Sequence, residues 1–190
     1  MTIEELYKDF CENFNKDHAL SQDSSTAKWT EEILKYFFEL GKELGKDDYR
    51  IYTNPKAIKE SEGSYLVDLC WSKEKGEDYK DYKGLELILE SEWLTSEEEI
   101  LDDFCKLIDI KSFLKVMVIC VAEKKTDDML QKMTETIKSS RIKFKEENYL
   151  VIIFIPLPTM DVPERYVIKG YKIDSEGMSQ KLQQADFILD

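Results

Sequence analysis

Residues 85–93 read LELILESEW. The inner positions are apolar, and strand alternation puts Glu86, Ile88, Glu90 and Glu92 on one face. A strand that seeks burial therefore carries two carboxylates, Glu90 and Glu92, at its outgoing end. The preceding apolar segment, residues 64–71 (SYLVDLCW), alternates as well: Tyr65, Val67, Leu69 and Trp71 face one way, and Leu66, Asp68 and Cys70 the other. If the two strands pair across the charged connection 72–83, Asp68 comes to lie near Glu90. An uncompensated buried carboxylate costs several kcal/mol, comparable with the stability of a whole domain. Two compensations are expected: a divalent cation, since Mg²⁺ takes hard oxygen ligands from few carboxylates, or a lysine. The plainer alternative leaves Asp68 capping a turn or paired with a nearby lysine, and Glu90 and Glu92 at a solvated strand end.

The periodicity extends outward from this pair of strands. Residues 2–14 predict a helix with a Thr2/Glu5 capping box and Ile3, Leu6, Tyr7, Phe10 and Phe14 on one face. Residues 15–28 are polar and read as a loop. Residues 29–44 predict a helix buried through Trp29, Ile33, Phe37, Leu40 and Leu44, ended by Gly45. Residues 49–52 are a short extended run before Asn54-Pro55. After LELILESEW, Ser96 and Glu99 fit a capping box, and Ile100, Leu101, Phe104, Leu107 and Ile108 define a helix. Residues 114–122 (LKVMVICVA) and 149–155 (YLVIIFI) read as strands buried on both faces, separated by a helix over 127–138 with Met129, Met133 and Ile137 inward. Pro156 and Pro158 should stop the second of these strands. Residues 165–173 read as an edge strand, and the tail from Ser175 as a weak helix or docked extension. Short links make the first three strands an antiparallel meander, while helical crossovers allow the later ones to be parallel. The expected fold class is α/β, a mixed central sheet with helices on both faces. The chain of 190 residues reads as one domain: an N-terminal helical extension over 1–28, a core over 29–155, and a C-terminal edge strand and tail over 156–190.

Composition narrows the function classes. A formal charge of -13, from 40 acidic and 27 basic residues, repels phosphate polymers at long range. Nucleic acid would need a local basic patch or a metal. The four cysteines form no CxxC, and His18 is the one histidine, so Cys/His zinc sites and Ser/His/Asp catalysis have little to build on. The sequence carries no phosphate loop and no G-x-S-x-G. The N-terminus reads as no secretion signal, and no run of apolar residues is long enough to span a membrane. A cytoplasmic protein is expected.

SYLVDLCW, then LELILESEW, then EEEILDDFCKLIDIKSFLKVMVI resembles the restriction-endonuclease-like superfamily, the PD-(D/E)xK nucleases, over roughly residues 29–122. The resemblance implies a restriction-endonuclease-like fold and a Mg²⁺-dependent phosphodiester hydrolase acting on nucleic acid. The family's first acidic residue falls on Asp68 and its second on Glu90, which would hold Mg²⁺ as metal ligands. The family's lysine position is Glu92 in this chain, and Val67 replaces the proline before Asp68. In some members the lysine has moved to the following helix, which points to Lys106, with Lys111 a weaker candidate. Asp68, Glu90, Glu92 and Lys106 are then the candidate catalytic residues. The metal would polarise a phosphoryl oxygen and acidify a bound water, Lys106 would steady that water or the developing charge, and Glu92 would add a ligand or hold Lys106. The plain reading of Lys106 is a surface partner of Asp102 or Asp103.

Charge opposes this activity. Acidic residues crowd the segment from Glu90 to Asp109, where Lys106 is the lone base. Lys73, Lys75, Lys80 and Lys83 in the hairpin, and Arg141, Lys143 and Lys145 before YLVIIFI, read as phosphate grips or as solvated turns. Trp71, Trp93 and Tyr79 could stack bases; Trp71 otherwise reads as core, and Trp93 as closing a strand and stapling the next helix. Two function classes stay open: a Mg²⁺-dependent nuclease, active or silent, and a non-catalytic acidic module on the same fold that binds a basic protein partner, as an immunity or regulatory subunit does.

Overall fold

Helices form where apolar residues recur at helical spacing and a cap closes the first turn. In the computed structural model, α1 (Ile3–Asp17) and α2 (Thr26–Gly45) lie on one face of a sheet, and α3 (Glu97–Asp109) and α4 (Thr126–Ser139) on the other. The residues described are 1–17, 25–74, 81–93, 96–141, 143–144, 147–157 and 165–188. His18, Lys75, Gly76, Tyr79, Lys80, Thr95, Lys145, Glu146 and Pro158 lie outside them. The Thr2 hydroxyl accepts from the Glu5 amide at 3.2 Å while the Glu5 carboxylate accepts from the Thr2 amide at 2.8 Å, and Ser96 and Glu99 form the same reciprocal box on α3. Each box satisfies donors that a helix start otherwise leaves open.

The sheet has seven strands in sequential order: β1 (Tyr49–Thr53), β2 (Leu69–Lys73), β3 (Gly84–Trp93), β4 (Ser112–Cys120), β5 (Asn148–Leu157), β6 (Arg165–Asp174) and β7 (Ser179–Ile188). β1, β2 and β3 run antiparallel, β3, β4 and β5 run parallel through α3 and α4, and β5, β6 and β7 return to antiparallel. The result is a mixed α/β fold whose sheet is mostly antiparallel. Strand alternation splits the apolar residues between two cores. Leu87, Leu89 and Trp93 of β3, with Val116, Val118, Ile152 and Phe154, pack under α1 and α2. Ile88, with Met117, Ile119, Val151 and Ile153, packs under α3 and α4. Phe10 and Phe14 of α1 meet Phe154 edge-on at 6.1 and 6.3 Å. Among the described residues no helix is long and apolar enough to cross a membrane.

Several sequence expectations change. β2 begins at Leu69, so residues 64–68 are not strand. Ladder pairing starts only at Thr53 against Leu69, and the Thr53 hydroxyl donates to the Asp68 carbonyl at 2.7 Å where the chain enters the sheet. Without a ladder the alternation lapses: Leu66 is 76% exposed, and Val67 packs with Cys70 and Ile88 instead of with Leu69 and Trp71. Leu44 is exposed, because the last turns of α2 press Gly41 and Gly45 against Trp71 and Tyr49, which rotates Leu44 outward. The residue with positive φ after α2 is Lys46, at 48°, not Gly45. β5 runs through Pro156, which is tolerated because β4 pairing ends at Phe154 and only β6 lies beside the proline. β6 is not an edge strand. The Asp174 carboxylate accepts from the amides of Glu176 and Met178 at 2.9 and 2.8 Å, Gly177 takes φ 71°, and the tail turns back as β7. An edge strand with one open side need not be apolar.

Gly41 shows what this packing demands of the interior of α2. A Cβ built there lies 2.5 Å from Trp71 Nε1 and 2.8 Å from Ile51 Cδ1, where the indole N–H donates to the Phe37 carbonyl at 3.0 Å. Alanine in place of glycine in a helix interior normally gains about 1 kcal/mol. Here Gly41→Ala is expected to lose roughly 1–3 kcal/mol by overpacking, seen as a lower urea midpoint. An unchanged or raised midpoint would show that the indole does not rest against the helix.

Candidate functional site

The register that sets Leu69 opposite Leu89 and Cys70 opposite Ile88 carries Asp68 up to Glu90 and Ser91. The Ser91 amide donates to Asp68 Oδ2 at 2.9 Å. Glu90 shares its face of β3 with Ile88 and is 2% exposed. From α3, half-exposed Lys106 places its ammonium 3.5 Å from Glu90 Oε1 and pairs closely with Asp103. Glu92 joins as a neighbour of Asp103, whose charge bears on it. All four residues expected at the site, Asp68, Glu90, Glu92 and Lys106, are therefore together, and Asp103 is a fifth member. Lys106 is the surface partner of Asp103 that its plain reading expects, and it also lies beside Glu90.

The protons of this cluster are unevenly held. Burial pushes Glu90 up to about 9, and the Asp68 charge beside it adds to the rise against the pull of Lys106. Burial also raises Asp68, opposed by the Ser91 amide and by the hydrogen bond from Glu90. Glu92 is pushed up to about 7 by burial and by Asp103 beside it. Burial would lower Lys106, but Asp103 and Glu90 hold it above its usual value. At neutral pH, then, burial and the neighbouring Asp68 charge favour the protonated form of Glu90, while Asp103 and Glu90 favour the charged form of Lys106. Glu90 Oε1 is buried, and the Lys106 ammonium at 3.5 Å is its cation partner.

The placement of the side chains overturns the expectation of Mg²⁺ at Asp68 and Glu90. Among the described residues, no group of three or more His, Cys, Asp or Glu side chains is placed to hold a metal ion. Asp68 Oδ2 accepts from the Ser91 backbone amide, and burial beside Asp68 favours the protonated form of Glu90. An ammonium beside them does the compensating work expected of a cation. The ligand roles for Asp68, Glu90 and Glu92 go with it. The weaker lysine candidate, Lys111, lies 5.4 Å above the Phe144 ring, away from this cluster.

A cavity of about 210 Å³ opens over the pair, lined by Asn54, Tyr65, Leu66, Val67, Asp68, Glu90 and Lys106. Leu66 and Tyr65 at its mouth are 76% and 43% exposed. Neither tryptophan is available to stack a ligand. Trp71 is buried against Tyr49, and Trp93 lies 4.7 Å from Trp29 on the α2 face, not on α3 as a staple.

Sequence reading missed a second buried charge pair. Lys115, fully buried in β4, lies 2.7 Å from Glu147 Oε1. It donates to the Ile108 carbonyl at 3.3 Å, and the Tyr149 hydroxyl donates to Glu147 at 3.2 Å. Burial lowers Lys115, against the pull of Glu147. The available signal was a lysine inside the otherwise apolar LKVMVICVA. No family model, curated protein or solved structure matches the chain.

Two outcomes follow from these charges. A carboxyl group raised in the folded state binds protons that the unfolded chain has released, so its contribution is whole below the ordinary value of 4.5 and is lost as pH rises towards about 9. The unfolding free energy from urea titration is expected to fall across that window, by up to about 1.4 kcal/mol per pH unit. Glu90→Gln should flatten the fall, and an equal slope in both proteins would contradict the shift. Lys115→Met should destabilise by roughly 3–5 kcal/mol because it leaves Glu147 buried without its cation, whereas a loss below about 1 kcal/mol would show that water reaches Glu147.

Proposed function

We propose that the chain is a non-catalytic acidic binding module that receives a basic side chain of a protein partner in the Asp68–Glu90 cavity. The observation that carries this reading is the buried Glu90 carboxyl beside Asp68, held by a half-exposed lysine at 3.5 Å that Asp103 also claims, beneath the exposed Leu66 and Tyr65. A guanidinium has the donors to satisfy both carboxyl groups at once. Its entry would displace the Glu90 proton and leave Lys106 on Asp103. Leu66 and Tyr65 would cover the stem of the incoming side chain. The charge of -13 would steer a basic partner in and phosphate polymers away.

The order α2, three antiparallel strands, α3 and a parallel β4 supports a restriction-endonuclease-like scaffold beneath this function. Phosphodiester hydrolysis as read from the sequence drew its activated water from a metal, and the acidic surroundings of Glu90 do not favour a polyanion. The protein-binding class is therefore the better supported of the two.

The test uses N-acetyl-arginine methylamide as probe and the Ser91 and Leu66 amides as NMR reporters. Saturable shifts with affinity on the order of millimolar are expected, tightening about tenfold on raising the pH through the Glu90 titration. The neutral citrulline analogue should not bind, Asp68→Asn should abolish the shifts, and Lys106→Met should strengthen them. Equal shifts with citrulline, or no shifts with arginine at high pH, would refute the reading.

A further inference from the structure

A second cavity, of about 750 Å³, opens at the opposite end of β3. It forms where β3 and β4 begin, at the Leu85–Ser112 pair, and where the chain approaches β5. Tyr82, Phe113 and Phe144 supply aromatic faces, and Lys83, Lys111 and Lys143 supply cations. Phe113 is 58% exposed although it belongs to a central strand, and Tyr82 is 51% exposed. The Lys111 ammonium rests over the Phe144 ring at 5.4 Å, and Lys143 reaches Glu176 only at 4.0 Å. Two acidic residues also line the cavity, Glu86 and Glu147, and Glu147 is already matched by Lys115. Among the described residues that line the cleft, three lysines against Glu86 leave a formal +2, within a chain of -13. This is a local reversal of sign, joined to exposed rings that the hydrophobic cores do not use.

We propose that this cleft binds a small anion with a planar aromatic body, of mononucleotide size. Its volume falls within the range of about 300–1,000 Å³ common to small-molecule sites. The rings offer stacking surfaces, and lysines serve as point charges for a phosphate or carboxylate. The far field of the chain selects for size. A nucleic-acid strand would bring its charge against the acidic surface, while a ligand of about two charges is matched inside the cleft. Lys83 comes from the hairpin, Lys111 from the turn before β4, and Lys143 from the segment before β5, so the site draws on both basic clusters without needing either as a whole. Anionic aromatic ligands come from two sources, nucleoside phosphates and aromatic carboxylates, which share this recognition chemistry.

The experiment is calorimetric titration of the full chain with 5′-AMP, anthranilate, adenosine and inorganic phosphate. At least one of the first two is expected to bind, and adenosine and phosphate each at least about tenfold more weakly, since each lacks half of the recognised chemistry. Binding of 5′-AMP alone would identify a phosphate ligand, and of anthranilate alone a carboxylate. Lys111→Gln and Phe113→Ser should each weaken the binding about tenfold. Asp68→Asn should leave it unchanged, which separates this cleft from the acidic cavity at the other end. No binding of either aromatic anion at millimolar concentration, adenosine binding as tightly as 5′-AMP, or unchanged affinity in a folded Lys111→Gln protein would overturn the proposal.

Discussion

Pairing of β2 with β3 fixes what the acidic end of the molecule must be. Once Leu69 stands opposite Leu89, Asp68 is delivered to Glu90 and Ser91, on the face that α3 covers. Two adjacent carboxyl groups, one of them buried, cannot both ionise cheaply. The fold resolves the conflict locally, with the Ser91 amide and the Lys106 ammonium supporting charge on Asp68 while Glu90 keeps its proton. Asp103 and Glu92 extend the same solution outward along α3 and the end of β3. Their arrangement is a proton-holding cluster with a lysine counter-ion, which accounts for the lack of a ligand set for a metal among the described residues.

The same sheet separates charge along its strands. Glu90 and Glu92 stand at the outgoing end of β3, and Lys83, Lys111 and Lys143 surround its beginning. Between them the layer under α3 and α4 is mainly apolar but holds the charged Lys115, whose partner Glu147 also lines the basic cleft. A buried ion pair with hydrogen bonds from Tyr149 and to Ile108 holds the entry to β5 at a defined place. That segment carries Lys143 and Phe144, so the shape of the cleft depends on the pair beneath it.

Much of this architecture could be read from residue pattern. The period of two in LELILESEW, the capping residues Thr2 and Ser96, and the unbroken apolar runs of β4 and β5 announced the sheet and its covering helices, because each is a local response to burial. The nearness of Asp68 and Glu90 was legible because one short connection joins their strands. What escaped was set by distant contacts or by solvation. Residues 64–68 alternate like a strand yet lack a ladder partner. β7 is polar because one of its sides is open, and Leu44 turns out because Gly41 and Gly45 face the aromatic rings. The charge states of Glu90 and Lys106 depend on desolvation, which residue identity does not reveal. The basic cleft was hidden because its lysines come from three separate connections and meet only in the folded chain.

The central claim is that Glu90 carries a proton at neutral pH beside Asp68. Site-resolved carboxyl ¹³C titration of the folded protein, with Glu90 identified by loss of its signal in Glu90→Gln, measures this directly. A midpoint near 9 for Glu90, with a matching inflection in the Asp68 signal, is the result this account predicts. A single midpoint near the ordinary value of 4.5 would contradict it, by showing that both groups ionise independently in water.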